Sequence, residues 1–233
     1  MEAHIAVAKV GKYATSISGD TVEIIERPNG GLSCVIADGQ WSGKSAKAIS
    51  NVVTRKALSL LADGVRDGAA ARAASDYLFT YRAGKVQATL NILSLDLSSQ
   101  TMVITRNNPA PVMLVQTGEI QLLDAPSCPV GTRHGIRPDI SEVSLTPGLA
   151  SIVFTDGMVH AGKRKGKAMD VLACVRDLIS AEAWEADVWA DTLLNQALHL
   201  DDGRPADDIS VVVAIINDKA DEKIRRISAH MPF

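Results

Sequence analysis

Four acidic motifs in this sequence stand where predicted strands end or begin. They are Asp20 after Ser18-Gly19, Asp38 before Gly39, Asp156 before Gly157, and Asp207-Asp208 before the last strand. A single Asp-Gly pair is ordinary turn chemistry. Carboxylates that converge from several strand ends cannot all stay ionised unaided, so they must take up protons or bind cations. The recurrence therefore favours a shared cation site over four unrelated turns.

The residue types also indicate which cation such a site would hold. Oxygen ligands select the hard cations Mg²⁺, Mn²⁺ and Ca²⁺ over Zn²⁺. No His or Cys stands at a comparable strand end in the sequence, which argues against zinc. Two hard cations about 3.5–4 Å apart can generate a hydroxide nucleophile and clamp a phosphoryl oxygen. The motifs thus point to metal-assisted phosphoryl chemistry, and no Ser/His/Asp or Cys nucleophile arrangement competes with them.

A nucleotide-binding P-loop is the alternative interpretation of the stretch that follows Asp38. Residues 39–45, G-Q-W-S-G-K-S, lie between a predicted strand and a predicted helix. The P-loop pattern needs four residues between its two glycines, whereas three stand here. Asp38 occupies the place of the first glycine, and a carboxylate there would oppose phosphate binding by backbone N–H groups. A cation explains Asp38 better.

Composition excludes several classes of function. The chain has 233 residues, of which 46% are hydrophobic and 22% charged, as expected of a globular protein with a sizeable core. A net charge of -3 argues against nucleic-acid binding driven by bulk charge. Cys34, Cys128 and Cys174 form no C-x-x-C pair, which fits a reducing cytoplasm. The sequence shows no apolar run of about 18 residues and no signal peptide, so we expect no membrane association.

Hydrophobic periodicity predicts strands in blocks that alternate with pairs of helices. Strands are predicted at 4–10, 12–18, 22–26, 32–37, 86–96, 101–105, 111–116, 119–123, 140–145, 151–155 and 209–216. Helices are predicted from Ala46 to about residue 61 and at 69–81, 169–180 and 187–200. Because the helices come in blocks, antiparallel sheets with helices on their outer faces are expected rather than a doubly wound fold.

The order of the motifs resembles one protein family. S-G-D (18–20), A-D-G (37–39), T-D-G (155–157) and D-D-I-S (207–210) look like the metal-dependent serine/threonine protein phosphatases, and the closest branch is the bacterial SpoIIE, RsbU and RsbX group. Residues 84–93 and 105–112 also look like central strands of that group. The resemblance implies an α+β fold, a four-layer α-β-β-α sandwich of two antiparallel sheets flanked by helices. One phosphatase domain would span residues 1–217, followed by a polar tail at 218–233.

The resemblance also implies a dinuclear Mn²⁺ or Mg²⁺ centre between the sheets. The implied ligands are Asp20 and Asp38, the backbone carbonyl of Gly39, and Asp156, Asp207 and Asp208 from the other sheet. Asp208 is the less certain of its pair, because adjacent side chains point to opposite sides of a strand. The implied mechanism is direct in-line attack of metal-activated water on phosphoserine or phosphothreonine, without a phosphoenzyme.

Two departures from the family pattern concern the substrate. Gln40-Trp41 replaces the glycine-rich loop that usually follows the first D-G motif. Trp41 therefore either contacts the substrate and narrows access, or packs on the following helix. The arginine that binds phosphate in eukaryotic relatives has no clear counterpart, and the candidate phosphate contacts are Lys44 and Arg106.

Three functional hypotheses follow from the resemblance. The first is a cytoplasmic phosphatase of a bacterial stressosome that acts on phosphorylated STAS-domain proteins, since the short chain without a sensor domain favours the RsbX type. The second is a phosphatase of an anti-anti-sigma factor, as in RsbU. The third is a non-catalytic binding module with the same fold. Retention of all four acidic motifs speaks against the third, because clustered charge costs stability without metal.

Overall fold

The computed structural model describes residues 1–218 and 224–231 of the chain. Within them the fold has ten strands, five α-helices and one short 3₁₀ helix at Lys163–Lys165. The strands are β1 (Glu2–Val10), β2 (Asp20–Glu26), β3 (Leu32–Gly39), β4 (Ala88–Asp96), β5 (Thr101–Asn107), β6 (Val112–Gln116), β7 (Glu119–Leu123), β8 (Asp139–Ser144), β9 (Ala150–Phe154) and β10 (Ile209–Asn217). The helices are α1 (Gly43–Ala62), α2 (Asp67–Arg82), α3 (Asp156–His160), α4 (Val171–Ser180) and α5 (Ala186–Leu200).

The strands of the described residues form two five-stranded antiparallel sheets. Sheet A has the order β1-β10-β9-β6-β7, and sheet B has the order β2-β3-β4-β5-β8. The N-terminal strand β1 pairs with the C-terminal strand β10, so sheet A unites the two ends of the fold. In sheet B, β2 and β3 form a hairpin whose register sets Asp20 directly opposite Asp38.

Three apolar clusters hold four layers together. The central cluster lies between the sheets, and the two outer clusters join sheet A to α4 and α5 and sheet B to α1 and α2. In β3, Cys34 and Ile36 face the central cluster, whereas Val35 and Ala37 face the helices. Strands buried on both faces read as continuous apolar runs. The predicted α+β sandwich with helices outside two antiparallel sheets is confirmed.

The predicted strand at residues 12–18 is wrong. This segment is a loop, in which the Lys12 N–H donates to Asp208 Oδ1 at 2.8 Å and the Tyr13 N–H donates to the Pro205 carbonyl at 2.9 Å. Such single contacts replace a strand ladder. Helix α3 was not predicted, because five residues carry too little periodicity. Helix α4 begins later than predicted, since the Asp170 side chain caps it by accepting from the Ala173 N–H.

The end of the chain adds no further element within the described residues. Strand β10 ends at Asn217, and residues 224–231 are exposed and without regular secondary structure. The remaining parts of the predicted polar tail, 219–223 and 232–233, lie outside the described residues. No helix in the described part of the chain is both long and apolar enough to span a bilayer.

The glycines of the two D-G motifs allow backbones to approach closely at the same end of the sandwich. A Cβ on Gly39 would lie 2.0 Å from the carbonyl oxygen of Ala46 in α1. A Cβ on Gly157 would lie 2.0 Å from the carbonyl oxygen of Asp208. Any side chain at either position would therefore push the following helix or the start of β10 away from its acidic neighbour.

We expect Gly157→Ala to lower the free energy of unfolding by roughly 1–3 kcal/mol, because the added methyl group overlaps a backbone carbonyl that cannot rotate away. Urea unfolding measures this change. Gly11→Ala is the matched control, since its Cβ would find its nearest atom, Asp208 Oδ1, at an ordinary 3.7 Å. Equal stability of the two variants would contradict the close-approach argument.

Candidate metal centre

The acidic motifs converge at one end of the sandwich. Asp20 begins β2, Asp38 lies at the end of β3, Asp156 begins α3 directly after β9, and Asp207 precedes β10. Asp38, Asp156 and Asp207 line one cavity of about 640 Å³. Asp20 and Asp38 lie on strands of sheet B, whereas Asp156 follows β9 and Asp207 precedes β10 of sheet A. The predicted convergence of carboxylates from both sheets is thus present.

Asp20 joins the two sheets. Its Oδ2 accepts a hydrogen bond from Thr155 Oγ1 at 2.9 Å and another from Ser210 Oγ at 2.6 Å. The Ser210 N–H donates to Thr155 Oγ1 at 3.0 Å. These contacts explain why a hydroxyl residue precedes Asp156 and why a serine lies three positions after Asp207. Thr155 and Ser210, the hydroxyl residues of the T-D-G and D-D-I-S motifs, thus bind Asp20, the acid of the S-G-D motif.

The Asp20–Asp38 pair carries the strongest electrostatic strain in the site. Burial, followed by the charges of Asp20 and Asp156, raises the pKa of Asp38 from 3.8 to about 9. Burial also raises the pKa of Asp20 to about 6, although the Ser210 and Thr155 hydrogen bonds oppose this change. Directly opposed like charges destabilise an antiparallel pair. The metal-free pair therefore holds at least one proton at neutral pH.

These residues fit a hard divalent cation. Asp20 is fully buried, and its Oδ1 has no hydrogen-bond partner in the described structure. A buried acceptor without a partner costs roughly 1–3 kcal/mol. Burial also raises the pKa of Asp156. Nearby positive charge would relieve each of these costs, and the donor set is rich in the carboxylate oxygens that Mg²⁺ and Mn²⁺ prefer.

The structure adds a histidine that the sequence interpretation missed. Asp156, His160 and Asp207 each offer a ligand atom, and these atoms lie within 4.8 Å of one another. His160 lies on helix α3, so the prediction about His or Cys at strand ends did not include it. The signal was the spacing D-G-M-V-H, because residues four apart share one face of a helix. It went unrecognised because α3 was not predicted.

Asp208 has a different environment from Asp207. Asp208 is buried, and its carboxylate accepts from the Lys12 N–H and the Gly19 N–H, both at 2.8 Å. It thus fixes the loop that leads into Asp20. Asp207 faces the cavity. This geometry favours Asp207 as the ligand of the pair and Asp208 as the residue that positions the loop.

Trp41 lies at the cavity wall with its side chain in solvent. It is 64% exposed and lines the cavity together with Gln40. Its φ of +76° lies in the left-handed region, which is unusual for a bulky residue. Of the two predicted alternatives, exposure beside the site describes Trp41, and packing on the helix does not. Lys44 is exposed in the first turn of α1 and is not among the residues that line this cavity.

Arg106 does not reach the cavity, and its prediction as a phosphate contact does not fit the structure. Its side chain is 1% exposed. The guanidinium donates to the Asn108 carbonyl at 2.8 Å and to the Ala125 carbonyl, and Nη2 lies 3.0 Å from Asp139 Oδ2 on β8. A buried guanidinium needs such partners. Arg106 ties β5 to its neighbours rather than contacting a ligand.

Comparison with known proteins identifies the family. Residues 28–217 match the family Stage II sporulation protein E (SpoIIE). The chain belongs to the SpoIIE family. A relative in this family, Stage II sporulation protein E of Bacillus subtilis (strain 168), is 21% identical over 210 residues, which cover 90% of this chain and 25% of the relative. The chain thus spans about a quarter of the length of that protein.

Solved structures show the same fold. The PP2C phosphatase domain of SpoIIE from Bacillus subtilis, solved with a fragment of its regulatory domain, aligns with a TM-score of 0.80 at 20% identity, covering 94% of this chain and 64% of that one. RsbX in complex with magnesium aligns with a TM-score of 0.71 at 16% identity, covering 92% and 96% of the two chains. The SpoIIE-family chain therefore has the PP2C phosphatase fold.

The raised carboxyl pKa values predict a pH dependence for the metal-free SpoIIE-family domain. Between pH 4 and about 9 the folded state holds a proton on Asp38 that the unfolded state has lost, and Asp20 adds to this up to about pH 6. The free energy of unfolding should therefore fall as the pH rises through this window. Asp38→Asn should flatten the decline and be more stable than wild type at pH 8.

Urea unfolding in EDTA at a series of pH values measures this dependence. Mn²⁺ should stabilise wild type at pH 8 more than it stabilises Asp38→Asn. Asp191→Asn, a change of an exposed acid on α5, is the control that should follow wild type. A decline of the same slope in Asp38→Asn would show that Asp38 does not carry the raised pKa.

Proposed function

We propose that this chain is a metal-dependent serine/threonine phosphoprotein phosphatase. The observation that supports this most directly is the cavity shared by Asp38, Asp156 and Asp207, whose carboxylates come from both sheets. Family membership and the PP2C phosphatase fold support the same function. A binding module without catalysis gives no reason to keep buried like charges that destabilise the metal-free fold.

Mn²⁺ or Mg²⁺, as two ions, is the proposed cofactor. The ions would be held by Asp20 through its unpartnered Oδ1, by Asp38 and the Gly39 carbonyl, and by Asp156 and Asp207. The magnesium complex of the structurally similar RsbX supports this assignment. Bound divalent cations lower the pKa of water and neutralise charge on a phosphoryl group.

Other residues of the chain position the acidic side chains and shape the cavity that the substrate would enter. Asp20 holds the two sheets in register through Thr155 and Ser210, which keeps Asp38 opposite the sheet A acids. Asp208 fixes the loop before Asp20. The cavity extends from the acids to Trp41 and to the proline-rich turn at 109–111, and this is the surface on which the phosphorylated segment would bind.

For the substrate we propose phosphorylated STAS-domain proteins of a bacterial stressosome, with the activity in the cytoplasm. The structural similarity to RsbX is consistent with this choice, and the chain is at least as similar to the solved RsbU and RsbW domains. A phosphorylated anti-anti-sigma factor, the type of substrate expected of an RsbU-like enzyme, is the alternative. Both are phosphoserine or phosphothreonine proteins, so one set of assays distinguishes them.

Hydrolysis of p-nitrophenyl phosphate tests the proposed activity. Wild type should turn over this ester only with Mn²⁺ or Mg²⁺, and EDTA should abolish turnover. Asp38→Asn and Asp156→Asn should each lower kcat by about 100-fold or more, because each removes a carboxylate that would hold a metal ion against the reacting phosphoryl group. Asp191→Asn on the surface of α5 is the control for loss of charge alone.

Phosphorylated STAS proteins and phosphorylated anti-anti-sigma factors then serve as protein substrates under the same conditions. Release of phosphate from one of them, with loss in Asp38→Asn, would identify the substrate class. A folded wild-type protein that binds Mn²⁺ and hydrolyses neither the small ester nor any phosphoprotein would overturn the proposed function.

We also propose that Trp41 contacts the substrate. A left-handed conformation costs a bulky residue roughly 1–2 kcal/mol, and an exposed ring recovers little of this by burial. The strain is consistent with a role in binding. Trp41→Gly should leave stability unchanged or higher, and it should lower kcat/KM for a phosphoprotein by about tenfold or more.

Chemical denaturation and steady-state kinetics measure the two effects. Trp41→Phe should retain most of the kcat/KM, since it keeps an aromatic face at the same place. A loss of stability in Trp41→Gly, with unchanged kcat/KM for the phosphoprotein, would show that the ring supports the fold instead.

A further inference from the structure

His160 lines the cavity of the acidic motifs, within ion-pair distance of Asp156 but without a hydrogen bond to it. Helix α3 places it one turn after Asp156, on the same face. Its Nδ1 lies 3.7 Å from Asp156 Oδ2, which is longer than the roughly 3.2 Å limit of an N–H···O hydrogen bond. Within the described chain the imidazole makes no hydrogen bond at either nitrogen. The ring is about half exposed and faces the cavity.

The spacing fits two atoms that share an ion. Ligands that each lie about 2.1 Å from one cation can be no more than about 4.2 Å apart. The 3.7 Å between Nδ1 and Oδ2 satisfies this limit. Asp207 supplies the third ligand atom, a second oxygen, and the three atoms lie within 4.8 Å of one another. The side chain of Asp207 is partly exposed, so it has room to turn toward the same ion.

A role at the helix end does not account for this histidine. Helix α3 has five residues, so few aligned peptide dipoles act on its C-terminal residue. His160 also lines the cavity together with Asp156 and Asp207, which is not expected of a surface histidine unrelated to the site.

We propose that His160 is a nitrogen ligand of the cation that Asp156 and Asp207 bind, and that it biases this site toward Mn²⁺ over Mg²⁺. The inference rests on the metal-dependent function proposed above. Mg²⁺ and Mn²⁺ both bind carboxylate oxygens, but Mn²⁺ is a transition-metal ion and accepts an imidazole nitrogen more readily than Mg²⁺, which keeps oxygen ligands and water. An exchange of one oxygen ligand for nitrogen therefore strengthens Mn²⁺ binding and leaves Mg²⁺ binding little changed.

Pulsed electron paramagnetic resonance of Mn²⁺ bound to the untagged protein tests the ligand directly. Wild type should show coupling of the Mn²⁺ electron spin to a ¹⁴N nucleus of imidazole. His160→Ala and His160→Asp should lack this coupling. His134→Ala is the matched control, because His134 also lies near an acid, with Nδ1 at 3.4 Å from Asp76 Oδ1, and it is not among the residues that line the cavity.

Calorimetric titration with Mn²⁺ and Mg²⁺ tests the selectivity without any turnover. His160→Ala should weaken Mn²⁺ binding by about tenfold or more and change Mg²⁺ binding by less than about threefold. His160→Asp, which restores an oxygen ligand, should lower the ratio of Mn²⁺ to Mg²⁺ affinity by about tenfold. The His134→Ala variant should keep both affinities of wild type.

The outcomes separate this inference from the proposed function. Two results would overturn the role of His160 and leave the phosphatase proposal intact. One is Mn²⁺ that binds to wild type without ¹⁴N coupling. The other is a ratio of Mn²⁺ to Mg²⁺ affinity that is the same in wild type, His160→Ala and His160→Asp. Absence of any divalent-cation binding by folded wild type would overturn both. Turnover that persists in His160→Asp with reversed metal preference would support both.

Discussion

The rest of this structure depends on one carboxylate oxygen, Asp20 Oδ2. It belongs to sheet B, yet it accepts hydrogen bonds from two hydroxyl groups of sheet A, those of Thr155 and Ser210. Hydrogen bonds to a charged acceptor are short and strong, and they are directional. They set how far the two sheets can slide past one another at this end. Because Asp38 lies opposite Asp20 in the β2–β3 hairpin, the same two bonds set the distance between Asp38 and the acids of sheet A.

The site opposes the stability of its own fold. The sandwich buries apolar clusters on both faces of each sheet. The stability gained from this burial offsets the destabilising effect of the acidic residues at one end. At that end, Asp20 is fully buried with an unpartnered Oδ1. Destabilising arrangements of this kind, here a buried carboxyl group without a partner, are found mostly at functional sites. The metal-free fold thus already holds the carboxyl groups in place, and a bound cation would favour their ionised form.

Local patterns sufficed for much of the fold and for the acidic residues. Strands such as β3 and β10 are apolar on both faces, so they stand out as continuous runs whatever their tertiary setting. The motif acids stand at strand ends, where turn chemistry marks them. Failures occurred where long-range contacts decide. The 12–18 segment becomes a loop because Asp208, far away in sequence, binds its backbone. Arg106 was taken for a ligand contact because its partner Asp139 lies on another strand. The position of His160 near the acids could not be predicted without helix α3, which has only five residues.

The bond between Ser210 and Asp20 joins residues that are 190 positions apart, and β1 pairs with β10 across nearly the whole chain. Contacts of such separation form late, because the loop that they close carries a large entropic cost. At a synthesis rate of about 5–20 residues per second, roughly 10–40 s pass between the synthesis of Asp20 and that of Ser210, whose hydroxyl group positions it. A nascent chain therefore exposes the unpaired β1 edge and has not yet assembled the acidic cluster. The cluster can form only when β10 has been synthesised and has joined sheet A.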